Sequence, residues 1–358
     1  MDLNAYMEQG IISIAGTLSR FYLSNEEGMS FLTAFVPALE QSTAKRNEYE
    51  RKGHHIPPFL IASISSHCNL HCAGCYARAE GMCGNSCNSE LSIEDWKKVF
   101  IEASDLGVSF ILLAGGEPMM RREIIELASK FDNILFPIFT NGTMLDENYL
   151  NLLKNYRNLI PVFSIEGSAE QTDLRRGSGV SRNIEEAMIE LNNNGVLFAT
   201  SVTVTSENLH GVVTEEFLSD LRARGCGAVF FVEYIPAEQG TEKLVLSEGE
   251  SEWLRTQIDI LKIKLEDMNV FAFPGDEKFM GGCLSAGRGF FHINPSGGAE
   301  PCPFSPHSQW NVKDHSILEI LESDFFKQIQ QISKLGIEQH VGGCTLFNYD
   351  EDVRRLLT

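Results

Sequence analysis

Short apolar segments alternate with helix-forming segments between Pro58 and Tyr234, and this alternation restricts the fold more than any other feature. Apolar strands separated by amphipathic helices predict a parallel sheet with helical crossovers. Six such units predict an α/β fold, an open (β/α)6 barrel that is about three-quarters of a TIM barrel. Pro137 and Pro161 weaken the predicted pairing of two strands. The predicted strands are 59–64, 110–113, 134–139, 160–165, 198–204 and 228–234.

The hydrophobic spacing and the composition of the 358-residue chain change at two places, and these places divide it into three regions. Residues 1–55 carry apolar residues at helical spacing and predict an N-terminal helical extension, with Pro37 as a kink or break. Residues 56–273 contain the barrel and end with a long helix predicted over 248–268. Residues 274–358 are rich in glycine and cysteine, and they predict a small C-terminal domain.

Three cysteines follow the first predicted strand in the pattern C-x3-C-x2-C-aromatic, formed by Cys68, Cys72, Cys75 and Tyr76. Three closely spaced thiolates can hold three irons of a [4Fe–4S] cluster and leave the fourth iron open. An open iron can chelate the amine and carboxylate of an amino acid. The alternative is a zinc knuckle or scattered core cysteines, although zinc sites normally use four nitrogen or sulfur ligands.

Polar residues and glycines lie at or just after the ends of the other predicted strands. The C-terminal ends of parallel barrel strands meet where active sites form, so we expect these residues to surround the cysteine loop. Glycines allow a close backbone approach to a ligand. Glu117 can accept from an ammonium group, and Arg176 can form a fork to a carboxylate. The candidates are Gly115, Gly116, Glu117, Asn141, Ser164, Glu166, Arg176, Ser201 and Glu233.

The cysteine pattern resembles the signature of the radical S-adenosylmethionine (SAM) superfamily. Gly115–Pro118 resembles the family's GGEP motif. Ser164–Gly167 resembles the SIDG stretch of members with a C-terminal SPASM or twitch extension, here with Glu166 for aspartate, and Asp173–Arg176 is similar to the D-x-x-R that follows it. The resemblance implies a [4Fe–4S] cluster and SAM as cofactors. It also implies reductive cleavage of SAM to a 5′-deoxyadenosyl radical, which takes a hydrogen atom from the substrate.

The same resemblance assigns the candidate residues to parts of SAM. Gly115, Gly116 and Glu117 correspond to the residues that hold the amine, and Arg176 corresponds to the residue that holds the carboxylate. Spacing favours Arg176 over the neighbouring arginine for this role. The set is completed by Tyr76 beside the adenine, Glu166 at the ribose hydroxyls, and Asn141, Ser164 and Ser201.

A second set of cysteines, Cys283, Cys302 and Cys344, lies beyond the barrel. The spacing Cys283-x13-Gly297-x4-Cys302 fits the opening of the SPASM pattern, and Cys344 resembles the end of its later C-x3-C piece. The remaining SPASM cysteines are absent from the sequence. The resemblance therefore implies a trimmed SPASM or twitch-like domain with one auxiliary [4Fe–4S] cluster, and the alternative is three structural cysteines or a zinc site.

The sequence leaves several ligands open. The fourth iron of the auxiliary cluster is open or is bound by a group such as His340, His292 or Asp276. Cys83 and Cys87 are a redox pair, extra ligands or plain loop residues, and Cys226 precedes strand six at the bottom of the barrel. Pro303 stands where sulfatase-maturing relatives carry a catalytic aspartate, which argues against that activity.

The formal net charge of −20 argues against nucleic acid and anionic membranes as partners. No apolar run is long enough to span a bilayer, and the start of the chain lacks the positive segment of a secretory signal. We therefore expect a cytoplasmic protein, in which clustered cysteines are more often metal ligands than disulfides.

These observations predict an enzyme that modifies a peptide or protein residue by radical chemistry. Its partners would be that substrate, or a small molecule, and a reducing protein such as flavodoxin or ferredoxin. One alternative is small-molecule oxidation or cofactor maturation by the same chemistry. Another is a non-enzymatic iron–sulfur electron carrier, which would need no SAM contacts.

Overall fold

Ten strands form one sheet in the residues that the computed structural model describes, which are 3–23, 25–83, 90–274, 281–339 and 344–357. The strands are β1 (Phe59–Ser65), β2 (Phe110–Gly115), β3 (Phe136–Thr140), β4 (Leu159–Ile165), β5 (Phe198–Val204), β6 (Cys226–Glu233), β7 (Asn269–Phe273), β8 (His292–Ile293), β9 (Gly298–Glu300) and β10 (Trp310–Asn311). Their order is β10-β9-β8-β1-β2-β3-β4-β5-β6-β7. The ladders from β8 to β7 are parallel, which confirms the predicted α/β class.

Helices connect the parallel strands and flank the sheet. They are α1 (Leu3–Tyr22), α2 (Glu26–Arg51), α3 (Tyr76–Ala79), α4 (Ile93–Leu106), α5 (Arg122–Ala128), α6 (Glu147–Asn155), α7 (Ala169–Arg176), α8 (Val180–Asn193), α9 (Leu209–Val212), α10 (Glu215–Ala223), α11 (Glu248–Lys264), α12 (Ile317–Leu321), α13 (Asp324–Gln339), α14 (Thr345–Asn348) and α15 (Asp350–Arg355). A capping box at Ser92 begins α4, and Gly107 ends this helix in a left-handed conformation. None of the helices in the described ranges is long and apolar enough to cross a bilayer.

All six predicted strands are present, with bounds that differ from the prediction by at most two residues. The prediction missed β7, which pairs with β6 from Ala228–Asn269 to Val232–Phe273. This strand follows α11 closely, and a run of five residues gives too short a periodic signal to separate it from the helix. The sheet also continues past residue 273, because β8 pairs with β1.

The structure bears on two expectations about proline. Pro37 does not break the second helix, since α2 runs through it while Leu32, Phe35 and Leu39 remain buried on one face. The packing of this face offsets the loss of the backbone hydrogen bond that a proline causes in a helix interior. Pro137 and Pro161 both pair regularly within the ladder from β3 to β4, whereas the ladder from β2 to β3 is short.

The helical hairpin of α1 and α2 packs under the barrel. Leu18, Tyr22 and Phe35 are fully buried there. They share an apolar cluster with residues at the N-terminal ends of the strands, including Phe110 and Leu197. The hairpin therefore covers the N-terminal end of the barrel, and the C-terminal rim remains as the place for a ligand.

Candidate active site at the C-terminal rim

Strand register decides which candidate residues face the barrel interior. Ser164 lies opposite Ser201, and Ser201 lies opposite Phe230. Because side chains alternate along a strand, Glu233 points to the opposite face from Phe230. There it accepts a hydrogen bond from Ser251 of α11 (3.0 Å), and burial raises its pKa. Ser164 and Ser201 therefore adjoin each other, while Glu233 lies outside the interior.

The three cysteines after β1 lie near one another and near two charged candidates. Burial raises the pKa of the Cys68 thiol to about 11, and Glu117 and Cys72 add to this effect. Burial also raises the pKa of Cys72, against the lowering effect of Arg176, and the neighbouring Cys75 reinforces the rise. The three thiols, a carboxylate and a guanidinium group thus lie within electrostatic range of each other.

Gly115 and Gly116 bring the end of β2 against the cysteine loop. A Cβ atom at Gly115 would lie 2.3 Å from the carbonyl oxygen of Ser65, and one at Gly116 would lie 2.1 Å from that of His67. The amide of Gly116 donates to Ser65 (2.7 Å), and that of Glu117 donates to His67 (2.7 Å). In this structure the close approach expected for a ligand is made to the protein's own backbone.

The buried carboxylate of Glu117 joins the ends of β2 and β3. It accepts hydrogen bonds from the Met119 amide (3.0 Å), the Thr140 hydroxyl (2.8 Å) and the Asn141 amide (2.8 Å). Burial raises its pKa, and these bonds oppose the rise. The Asn141 side chain in turn donates to Asn69 in the cysteine loop (2.9 Å). Glu117 therefore helps to position that loop. A ligand ammonium group would be a fourth hydrogen-bond donor to its carboxylate.

Glu166, Arg175 and Arg176 form an ion-pair cluster after β4. The Oε1 atom of Glu166 accepts from Arg175 Nη1 (2.8 Å) and from Arg176 Nε (2.9 Å) and Nη2 (2.5 Å). The Arg175 Nε atom also donates to the Ala73 carbonyl in the cysteine loop (3.0 Å), and the Ala73 amide donates to the Arg175 carbonyl (2.9 Å). Arg175 is thus engaged with the loop, which leaves Arg176 as the better-placed partner for a carboxylate.

Tyr76 lies between the two cysteine sets. Its ring centroid is 5.0 Å from that of Phe304, which is close in sequence to Cys302. Burial raises the pKa of the Tyr76 hydroxyl, and the Cys75 and Cys302 thiols raise it further. The C-terminal segment therefore packs directly against the cysteine loop.

Cys283, Cys302 and Cys344 are buried in the main apolar core. The Ala286 amide donates to the Pro301 carbonyl (3.1 Å), which sets the first two of these cysteines on adjacent loops. Within the described ranges, no three His, Cys, Asp or Glu side chains are arranged as ligands of one metal ion. A [4Fe–4S] cluster distributes its thiolates over separate irons, so its ligands need not converge on one point.

His292 is not available as the fourth auxiliary ligand in this arrangement. Its Nδ1 atom lies 2.7 Å from Glu300 Oε2, and its Nε2 atom lies 2.7 Å from Ser63 Oγ. Both ring nitrogens therefore have partners in a fully buried network. Outside the described residues lie His340, Asp276 and Cys87.

The two remaining cysteines occupy different ends of the barrel. Cys83 packs with Cys68 and Cys75 at the rim. Cys226 opens β6 at the N-terminal end, where it donates to the Ala228 carbonyl (3.1 Å), and burial raises its pKa to about 12. Cys226 is thus remote from the rim.

Two acidic residues that the sequence analysis did not single out also hold the cysteine loop. Glu90 accepts from the Ser66 amide (2.6 Å) and from Arg121 Nη1 (2.5 Å). Glu238 accepts from the Gly74 amide (2.8 Å). Glu238 follows strand six, so its place at the rim could have been predicted, whereas nothing in the local sequence marks Glu90.

The comparison with protein families identifies the barrel. Residues 62–220 match the family model of the Radical SAM superfamily. Residues 62–220 form a radical SAM domain. This family uses a [4Fe–4S] cluster and SAM. The neighbouring thiols of Cys68, Cys72 and Cys75, together with the nearby Glu166 and Arg176, fit these two cofactors.

Individual relatives resemble this chain over different lengths. The PqqA peptide cyclase of Rhizobium meliloti is 27% identical over 292 residues, which is 76% of each chain. The Fe-coproporphyrin III synthase of Methanosarcina barkeri is 25% identical over 224 residues, or 61% of this chain and 54% of that protein, so the match spans about half of that relative. The structure of Streptococcus suis SuiB bound to precursor peptide SuiA has a TM-score of 0.61 at 16% identity, and it covers 80% of this chain and 68% of that one. The last comparison shows a shared fold.

Gly116→Ala tests the packing of β2 against the cysteine loop. The added methyl group would meet the His67 carbonyl, so the backbone must shift. We expect the free energy of unfolding of the iron-free protein to fall by about 1–3 kcal/mol in urea titrations. We also expect less iron to bind on anaerobic reconstitution. Gly249→Ala is the control, because a Cβ atom there meets nothing within 4 Å. Equal behaviour of the two variants would contradict this packing role.

Proposed function

We propose that the protein is a radical SAM enzyme that modifies a residue of a peptide or protein substrate, with hydrogen abstraction as its oxidoreductase step. The placement of the three-cysteine loop beside Glu117, Glu166 and Arg176, within a radical SAM domain, carries the proposal. When bound, the cluster and SAM supply a 5′-deoxyadenosyl radical that abstracts hydrogen from the substrate.

The chain's own residues bind and orient these cofactors. Cys68, Cys72 and Cys75 provide three thiolates and leave one iron for SAM. Arg176 has five N–H donors, so its bonds to Glu166 leave others for the SAM carboxylate. Because Glu166 uses Oε1 for both arginines, its Oε2 atom is the acceptor that we assign to the ribose hydroxyls.

The remaining SAM contacts come from neighbouring strand ends. Glu117, with the backbone of Gly115 and Gly116, would receive the amine. Tyr76 would lie beside the adenine. Side chains of the adjacent strand ends complete the pocket, and these are Asn141, Ser164 and Ser201.

We further propose an auxiliary [4Fe–4S] cluster at Cys283, Cys302 and Cys344. The burial of these thiols and the position of Tyr76 between the two cysteine sets support it. In this proposal residues 274–358 form the auxiliary domain.

The rest of the chain and its setting follow the same proposal. Residues 56–273 form the barrel, and residues 1–55 form a helical extension. A reducing protein such as flavodoxin or ferredoxin supplies the electrons. We place the reaction in the cytoplasm, where thiols remain reduced.

Peptide modification is favoured by the relatives. The PqqA peptide cyclase matches over most of both chains, and the SuiB structure contains a precursor peptide. The second candidate is maturation of a small molecule or cofactor, which the similarity to Fe-coproporphyrin III synthase favours. A simple electron carrier remains the non-enzymatic alternative, and it would leave SAM intact.

Cys72→Ala tests the first step. After anaerobic reconstitution and reduction, we expect the parent protein to convert SAM to 5′-deoxyadenosine, measured by chromatography. We expect no product from the variant, because one iron loses its thiolate ligand. Cys226→Ala, at the far end of the barrel, should retain product formation. A parent protein with intact clusters and no product would refute the enzyme and support the electron carrier.

The auxiliary cluster is tested by iron counting in a variant with Cys68, Cys72 and Cys75 all replaced by Ala. We expect this variant to retain about four irons per chain, because the second cysteine set is untouched. Iron and sulfide assays after anaerobic reconstitution measure this number. If the variant has the same unfolding temperature as the parent protein but retains almost no iron, that result would contradict a second cluster.

The substrate class is tested with deuterated candidate peptides encoded near the gene. We expect deuterium to appear in 5′-deoxyadenosine, because the radical takes its hydrogen atom from the substrate. Mass spectrometry of the nucleoside measures the transfer. Labelled porphyrin precursors provide the comparison. Transfer from the porphyrins, with none from the peptides, would replace peptide modification with cofactor maturation.

A further inference from the structure

Tyr234 has a buried hydroxyl for which the proposed mechanism has no use. It is the first residue after β6, and it is 4% exposed. Its hydroxyl has no hydrogen-bond partner in the described part of the chain. A buried hydroxyl without a partner costs about 1–3 kcal/mol. Such a group points to an acceptor other than the polypeptide.

The hydroxyl lies against the cysteine loop, between two of the predicted cluster ligands. A Cβ atom at Gly74 would lie 2.4 Å from the Tyr234 oxygen, and Gly74 adopts a φ of +65°. Gly74 follows Cys72 by two residues and directly precedes Cys75. The tyrosine thus touches the loop segment that joins two thiols.

Three further contacts hold the loop and the tyrosine together. Ala73 exchanges two hydrogen bonds with Arg175, and the Gly74 amide donates to Glu238. The Arg175 guanidinium carbon lies 6.0 Å from the centroid of the Tyr234 ring. A cation over the ring draws electron density from it and makes the hydroxyl a stronger donor. The loop is therefore fixed against a donor that has no acceptor within the described residues.

We propose that the Tyr234 hydroxyl donates a hydrogen bond to a sulfide of the SAM-binding [4Fe–4S] cluster. This inference rests on the proposed cluster. Hydrogen bonds to the sulfurs help to set the reduction potential of such clusters. A donor stabilises the more negative reduced state more than the oxidised state, so Tyr234 raises the potential and eases reduction.

Tyr234→Phe tests this proposal, first in the iron-free protein. The substitution removes a hydroxyl that has no partner within the polypeptide. We therefore expect the urea midpoint of the iron-free protein to stay the same or rise. A lower midpoint would show that the hydroxyl already bonds to the protein, and it would overturn the proposal.

The second measurement uses the reconstituted protein at fixed solution potentials. The EPR signal that changes on addition of SAM reports the cluster of interest. We expect the ratio of reduced to oxidised cluster to fall about fivefold in Tyr234→Phe, the effect of one typical hydrogen bond. Tyr22→Phe is the control, because this buried tyrosine lies in the hairpin under the barrel, and it should leave the ratio unchanged.

The outcomes separate this inference from the proposed function. An unchanged ratio in Tyr234→Phe, with a loaded cluster, overturns the hydrogen bond and leaves the enzyme proposal intact. Loss of the SAM-responsive cluster from a variant that keeps its iron-free stability supports the contact. A parent protein that shows no SAM-responsive cluster refutes the proposed function itself.

Discussion

The buried carboxylate of Glu117 is the interaction on which the rim depends. Three protein donors surround it, and they come from the segment after β2 and from the end of β3 with the residue that follows it. Through Asn141 the same network reaches Asn69 inside the cysteine loop. A carboxylate in such a place is tolerated because its acceptors are satisfied. Glu117 therefore connects the regular barrel to the irregular loop that carries the chemistry.

The other parts of the molecule support this rim from two sides. The hairpin of α1 and α2 covers the opposite end of the barrel with apolar side chains. The C-terminal segment adds β8 beside β1 and places Phe304 against Tyr76. The two cysteine sets are consequently parts of one packed structure, in which the cysteine loop contacts both the barrel and the C-terminal segment.

Much of this arrangement was predictable because strands and helices have different periods. The six predicted strands were correct, and the shared rim followed from parallel topology. The sequence could not show which face each strand-end residue takes. Ser164 and Ser201 share a face through register, whereas Glu233 turns to Ser251 of α11.

Long-range partners were beyond a reading of local patterns. His292 was a possible iron ligand from its type and position, but its nitrogens bond to Glu300 and Ser63 across the sheet. Arg175 and Arg176 were ranked by spacing, while the structure separates them by what each one touches. The role of Gly74 likewise depends on Tyr234, which is distant in sequence and adjacent in space.

EPR spectroscopy of the reconstituted and reduced protein, before and after addition of SAM, tests the open iron at Cys68, Cys72 and Cys75 most directly. If SAM binds that iron, the signal of one cluster changes on its addition, and the change disappears when the three cysteines are replaced by Ala. A signal that stays the same at saturating SAM would contradict a site that holds SAM on an open iron.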